Sequence, residues 1–146
     1  MSLPDPVPGL VIRHAFLWSH EAARGQSEAA KTRPCAIVVA AAQGENGALR
    51  VTVAPITHSP PEDETTCVEL PAEIARELGF DDDRQWLRFD ELNYFDWPGF
   101  DLSPVPGESG RYDYGMLPRR FFETAKALIL ARIRAGKRTS IVNRNV

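Results

Sequence analysis

Pro34-Cys35-Ala36-Ile37-Val38-Val39-Ala40-Ala41-Ala42, then Gly44-Glu45-Asn46-Gly47, then Leu49-Arg50-Val51-Thr52-Val53-Ala54-Pro55-Ile56-Thr57, is the stretch that decides the fold class. The first run is almost wholly apolar and bounded by turn residues, which predicts a central strand buried on both faces. The middle quartet holds the residue types that accept positive φ and reads as a turn. The last run alternates apolar and polar side chains, as a hairpin partner does. A short turn between two strands favours antiparallel pairing. The start of the first strand then lies near the end of the second, which brings Arg33 close to Thr57.

Outward from this hairpin, Gly9 to Trp18 is rich in β-branched and aromatic residues and predicts another strand. Cys67 to Leu70 and the alternating Trp86-Leu87-Arg88-Phe89-Asp90 predict two more, giving about five short strands. Pro71 to Leu78 predicts a short helix, with proline in its first turn and Gly79 after its last apolar residue. Leu117 to Ala135 predicts the one long helix: Phe121, Ala125, Leu128, Ile129 and Ile133 fall on one stripe, and Gly136 suits its C-terminal end. Ser19 to Arg33 reads as a long loop, of a length usually tied to function. Trp97 to Gly115, punctuated by proline and glycine, reads as irregular. Residues 1–8 read as a flexible proline-containing leader and 137–146 as a frayed tail of a single domain, 1–146. The inventory is mainly β with two helices, which suits a compact β-barrel carrying a terminal helix.

The composition excludes several classes. The 43% apolar and 25% charged residues are ordinary for a globular domain. No apolar run approaches the roughly 18 residues of a membrane span, and the first nine residues carry no basic residue of the secretory kind. Two cysteines without a Cys-x-x-Cys spacing give no zinc ribbon and suit a reducing cytoplasm, the expected location. Net charge is −3, divided between +7 over residues 119–146 and −10 over the rest. Nucleic acid would therefore be held by a local groove or by the basic tail, not by bulk charge.

Common catalytic motifs are absent: there is no Gly-x-Ser-x-Gly, no Walker A pattern and no Gly-x-Gly-x-x-Gly. His14, His20, His58, Cys35 and Cys67 have no metal-ligand spacing, so no metal is expected. What remains is a polar set at strand ends. Arg33 precedes the buried strand, Thr57 and His58 end its partner, and Arg88 and Asp90 share one face of another strand. Guanidinium forks bind phosphate and a carboxylate accepts a proton. Arg, Thr, Arg and Asp around one cleft suit an anionic substrate.

In order and spacing these pieces resemble the PemK/MazF family of toxin endoribonucleases. The family's loop, a Glu then Arg-Pro before an apolar strand, is similar to Gly25-Gln26-Ser27-Glu28-Ala29-Ala30-Lys31-Thr32-Arg33-Pro34. Its Pro-Ile-Thr-Ser strand end resembles Pro55-Ile56-Thr57-His58, and its Arg-x-Asp segment resembles Arg88-Phe89-Asp90 running on to Asp96. Lys31 stands where the family has glycine, His58 where it has serine, and Ser27 where some members have histidine. The resemblance covers about residues 9–96 and 116–135; the 97–115 stretch has no clear counterpart in it.

The resemblance implies a small SH3-like barrel of five to seven strands, of the CcdB/MazF/PemK type, with a short and a C-terminal helix. It implies a homodimer that cuts single-stranded RNA (mRNA) without metal or cofactor, and a cognate acidic antitoxin protein as partner. In that chemistry the 2′-hydroxyl attacks the adjacent phosphate and leaves a 2′,3′-cyclic phosphate and a 5′-hydroxyl. By resemblance Arg33 stabilises the phosphorane, Thr57 bonds a phosphate oxygen, Asp90 is the base and Arg88 a second cation. His58 is a possible acid or base, imidazole being the commonest side chain in that role. Ser27, Glu28, Lys31 and Trp18 are the expected substrate contacts, and Trp18, Trp86 and Phe89 are candidates to stack bases. Arg33 and Thr57 are expected at the loop-to-strand rim, outside the core. The alternative is a non-catalytic module of the same barrel that binds a protein partner, as gyrase-poison toxins do, or an inactive relative.

Overall fold

The computed structural model describes residues 3–26, 31–43, 47–99, 101–108 and 110–145. Its spine is β2 (Thr32–Gln43), for the reason its composition predicts. Cys35 and Ile37 enter one apolar cluster with Leu10, Ile12, Phe16, Val51, Val53 and Phe95. Ala36 and Val38 enter another with Val11, Ala54, Ile56, Leu70, Leu78, Leu87 and Leu117. Successive side chains of a strand point to opposite faces, so one apolar run feeds two cores. Further along β2, Val39 is 52% exposed while Ala40 still packs on the first cluster, and the pairing with β1 (Leu10–Ala15) runs only from Val11–Ala36 to Ala15–Thr32.

β3 (Ala48–Thr57) pairs antiparallel with β2, from Gln43 opposite Ala48 to Cys35 opposite Pro55. The hairpin is as the sequence predicts; the turn residues 44–46 lie outside the described residues. β4 (Cys67–Glu69) and β5 (Trp86–Arg88) extend the sheet beyond β3. Helix α1 is Ser19–Ala23, and α2 (Ala72–Glu77), preceded by Pro71 and closed by Gly79 at φ +79°, lies between β4 and β5. β6 (Glu91–Asp96) pairs with the middle of β3, and β7 (Asp113–Met116) with β1. α3 (Arg119–Arg134) follows Pro118, and β8 (Ser140–Asn143) pairs with β6. The chain is mainly β. Its eight strands among the described residues run β4-β5-β3-β2-β1-β7, with β6 beside β3 and β8 beside β6. Every pairing is antiparallel except β6–β8.

Five differences from the sequence reading have physical reasons. The 19–33 loop contains α1, whose Glu21 carboxylate accepts the Trp18 N–H at 3.0 Å and closes the first turn. β6 follows β5 without proline or glycine between them, so no punctuation marks it as a separate strand. β7 lies inside the glycine- and proline-rich stretch and takes its strand form from β1, with a register shift between Val11 and Ile12. β8 lies in the supposedly frayed tail. It is held by Ser140 N–H to Asp90 O (2.9 Å) and Arg144 N–H to Tyr94 O (2.8 Å), with the buried Arg144 guanidinium 2.9 Å from Asp101. On α3, Ala125 is buried and Phe121 and Ile129 pack on the core, but Leu128 and Ile133 of the expected stripe are exposed.

Candidate functional site

Three segments meet where the hairpin ends. β1 continues through Phe16 and Leu17 to Trp18. Asn93 of β6 holds this continuation: its side chain accepts the Leu17 N–H at 2.9 Å and donates to the Leu17 carbonyl at 2.8 Å. One residue on, Ser19 donates its N–H and its hydroxyl to the Glu91 carboxylate, at 2.8 and 2.6 Å. With Glu21 capping the next turn, the Trp18 backbone is fixed on both sides. Its ring lies edge-on to Phe16, 4.9 Å between centroids.

Two guanidiniums flank this ring. Arg33 and Arg88 each sit 5.0 Å from the Trp18 centroid, an attraction worth about 0.5–2 kcal/mol each depending on desolvation. They differ in their partners. Arg88 makes two bonds to Asp90, 3.0 and 2.8 Å, and these hold its pKa above the ordinary arginine value. The Arg33 guanidinium has no hydrogen bond or ion pair among the described residues, and its Nε is buried without a partner. Burial presses its pKa below the ordinary value, partly offset by the fields of Cys35 and Glu21 and reinforced by that of Arg88. A half-buried cation without an acceptor favours an incoming anion.

The register places Thr57 in line with Arg33 at the end of the hairpin. Its Oγ1 accepts the Ser59 N–H at 3.1 Å, and its own proton has no acceptor among the described residues. Thr57 is 5% exposed, so it belongs to the buried end of β3 and not to the rim expected for it; pairing with Trp86 covers it. His58 is exposed and lies 3.1 and 3.2 Å through Nε2 from the two oxygens of Asp81. The Arg33, Thr57 and His58 side chains, with Lys31, line two adjoining clefts of about 340 and 470 Å³. The smaller also takes in Trp18, His20, Arg88 and Glu91.

Of the other expected site residues, Asp90 lines neither cleft, and both its oxygens are taken by Arg88. With both oxygens so engaged, its position suits holding Arg88 in place. Trp86 and Phe89 are buried at 6% and 2% exposure, which leaves Trp18 as the stacking candidate of the three. Asp96 pairs with Arg50 at 3.5 Å, away from the clefts. Ser27 and Glu28 lie outside the described residues. Sequence reasoning missed Asp81, Gln85 and Glu91; nothing in their neighbourhood marks them, because each meets the site across the fold. It also missed the one group of possible metal ligands among the described residues, His58, Asp81 and Asp83, whose ligand atoms lie within 4.8 Å of one another. All three are exposed, and Asp81 already accepts from His58 and from the Asp83 N–H at 3.0 Å. The contacts make an internally paired turn. Both cysteines are buried free thiols, and burial raises the pKa of each.

No helix among the described residues is long and apolar enough to cross a membrane. Comparison with known proteins returns no matching family model, no matching curated protein and no matching solved structure.

Proposed function

We propose that this protein is an endoribonuclease that cuts single-stranded RNA without metal, leaving 2′,3′-cyclic phosphate and 5′-hydroxyl ends. The observation that carries the reading is the unpaired Arg33 guanidinium stacked on Trp18 beside the Thr57 hydroxyl, in a cleft also lined by Arg88, Lys31 and His58. A phosphodiester supplies the anion this cation lacks, and an adjacent unpaired base can pack against the half-buried Trp18 ring.

The chemistry follows from the groups present. The 2′-oxygen attacks phosphorus and the P–O5′ bond breaks. Arg33 and the Thr57 hydroxyl donate to the non-bridging oxygens, whose charge grows in the phosphorane. His58 is the base: with Nε2–H held by Asp81, Nδ1 keeps its lone pair and takes the O2′ proton. Arg88, kept charged and oriented by Asp90, offsets the charge on the departing O5′, which collects its proton from water. An arginine has too high a pKa to be the proton donor itself.

This reading carries the toxin assignment with it: an SH3-like barrel that works as a homodimer and is neutralised in the cytoplasm by an acidic antitoxin. The exposed Leu128, Leu130 and Ile133 of α3 are apolar surface of the kind a subunit interface covers. The test is incubation of the purified chain with varied single-stranded RNAs in excess chelator, followed by end analysis. Cyclic phosphate ends, lost in Arg33→Ala, support the reading. Intact RNA, or cutting that needs added metal, overturns it. Binding of a protein partner without any cleavage would favour the non-catalytic module.

A further inference from the structure

The larger cleft has features that phosphate binding does not use. Its volume of about 470 Å³ falls in the range of about 300–1,000 Å³ typical of small-ligand sites. It opens from Arg33 and Thr57, and its far wall is aromatic: Phe80 and Tyr114 meet edge to face, 5.1 Å between centroids. Gln85 lines it at only 4% exposure. Its carboxamide makes a single long contact, Nε2 to Asp81 at 3.5 Å, so one N–H and the carbonyl oxygen remain for a ligand. Buried amides are normally satisfied, and one left so nearly unspent in the lining of a cavity is a reading group.

The 97–115 stretch, which the toxin resemblance does not account for, builds much of this wall. It contributes Val105, Pro106, Arg111 and Tyr114. The wall is anchored: Val105 N–H donates to Arg111 O at 2.7 Å, Ser103 N–H to Arg13 O at 2.9 Å and Arg13 N–H to Tyr112 O at 3.3 Å. Glu108 pairs with Arg111 at 2.9 Å and closes the turn. This irregular segment is thus tied along β1, and its Tyr114 meets Phe80 in the aromatic wall of the cleft.

We infer that the larger cleft is a nucleobase pocket, in which an unpaired base next to the cut phosphate is held against Phe80 and Tyr114 and its edge is read by Gln85. The inference rests on the RNA-cutting reading and adds the specificity determinant to it. Proteins read single-stranded RNA by splaying bases onto aromatic side chains and bonding their edges, and a glutamine amide offers an adjacent donor and acceptor for that purpose. The shared border fixes the register: with phosphate at Arg33, the base that enters belongs to a nucleotide flanking the cut.

The experiment maps cut sites on a randomised single-stranded RNA pool for the wild type, Gln85→Leu, Gln85→Glu, Tyr114→Ala and Arg33→Ala. The wild type is expected to prefer one base by about 10-fold or more at one position beside the cut, the scale of a single base contact. Gln85→Leu flattens that position to below about 3-fold and leaves the others unchanged. Gln85→Glu, which keeps the shape and replaces the amide donor, changes the preferred base, and this guards against a leucine variant that fails to fold. Arg33→Ala slows cutting without altering the preference. Unchanged preferences in all the Gln85 and Tyr114 variants would overturn the pocket and leave the nuclease reading standing. A second arm measures calorimetric binding of 2′-deoxy tetranucleotides, which cannot be cut. If the wild type cuts no RNA yet discriminates among these by base, and Gln85→Leu abolishes the discrimination, the nuclease reading fails and the pocket stands. Equal binding of all sequences, or none, overturns the pocket.

Discussion

Acid should destabilise this protein through one buried side chain, His14. The residue is fully buried, stacked on Phe95 with 4.9 Å between centroids, and its Nε2 lies 3.1 Å from Asn93 Oδ1. Asn93 has no proton on that oxygen, so Nε2 is the donor, and Nδ1 is buried without a partner among the described residues. Burial lowers its pKa from 6.5 to about 4, the Asn93 bond acts the other way, and the Arg144 guanidinium adds to the lowering. In the unfolded chain the ring takes up a proton near pH 6.5, and in the folded protein it does so only near pH 4. Between these values the unfolded state binds the extra proton, so stability falls as pH falls. The stabilisation is present in full above pH 6.5 and is lost progressively down to about pH 4. The loss amounts to about 2 kcal/mol at pH 5 and about 3 kcal/mol by pH 4. Against a typical total of about 5–15 kcal/mol, that is a large fraction. Urea unfolding at pH 7.5 and pH 5 should show the midpoint drop by about 1 M, for a slope of about 2 kcal/mol per molar. His14→Gln should be less stable at pH 7.5, having lost the ring stack, yet should lose about 2 kcal/mol less than the wild type between the two pH values. An equal pH loss in the variant would refute the assignment to His14.

Arg33→Ala should lower the rate of RNA cutting by about 100-fold or more, the scale of a removed charge-stabilising donor, with a urea midpoint equal to or above the wild type's. Thr57→Val should lower both: it removes the donor to phosphate and leaves the Ser59 N–H unpaired, which costs about 1 kcal/mol, whereas Thr57→Ser should keep most of the activity. Asp90→Asn should reduce cutting by less than Arg33→Ala does, because it loosens Arg88 without removing a group from the cleft; a loss as deep as that of Arg33→Ala in single-turnover assays would restore Asp90 to the chemistry. Arg144→Met should lower stability by about 3 kcal/mol through the broken Asp101 pair, seen by thermal or urea unfolding, and an unchanged midpoint would mean that β8 is not part of the cooperative fold.

The hairpin from residue 32 to 57 was legible in the sequence because its information is local. An apolar run, a turn and an alternating run set both strands and bring Arg33 near the end of β3, and a one-residue register shift between Ile37 and Val39 puts it in line with Thr57. The two helices were legible for the same reason, since proline, glycine and apolar spacing act within a few turns of chain. So was the meeting of Arg88 with Asp90, two residues apart. The rest of the site depends on contacts far apart in sequence. Trp18 comes between Arg33 and Arg88 because β6, through Asn93 and Glu91, pins the end of β1 from more than 70 residues away. His58 finds Asp81 across 23 residues. β7 has little intrinsic preference to be a strand and β8 is only four residues long; both become strands because the open edges of β1 and β6 satisfy their backbone groups. Residue type and spacing thus nominated the arginines, the threonine and the histidine, while the tertiary packing decided that Arg33 is left without an acceptor among the described residues, and that a segment with no periodicity of its own forms the wall of a pocket.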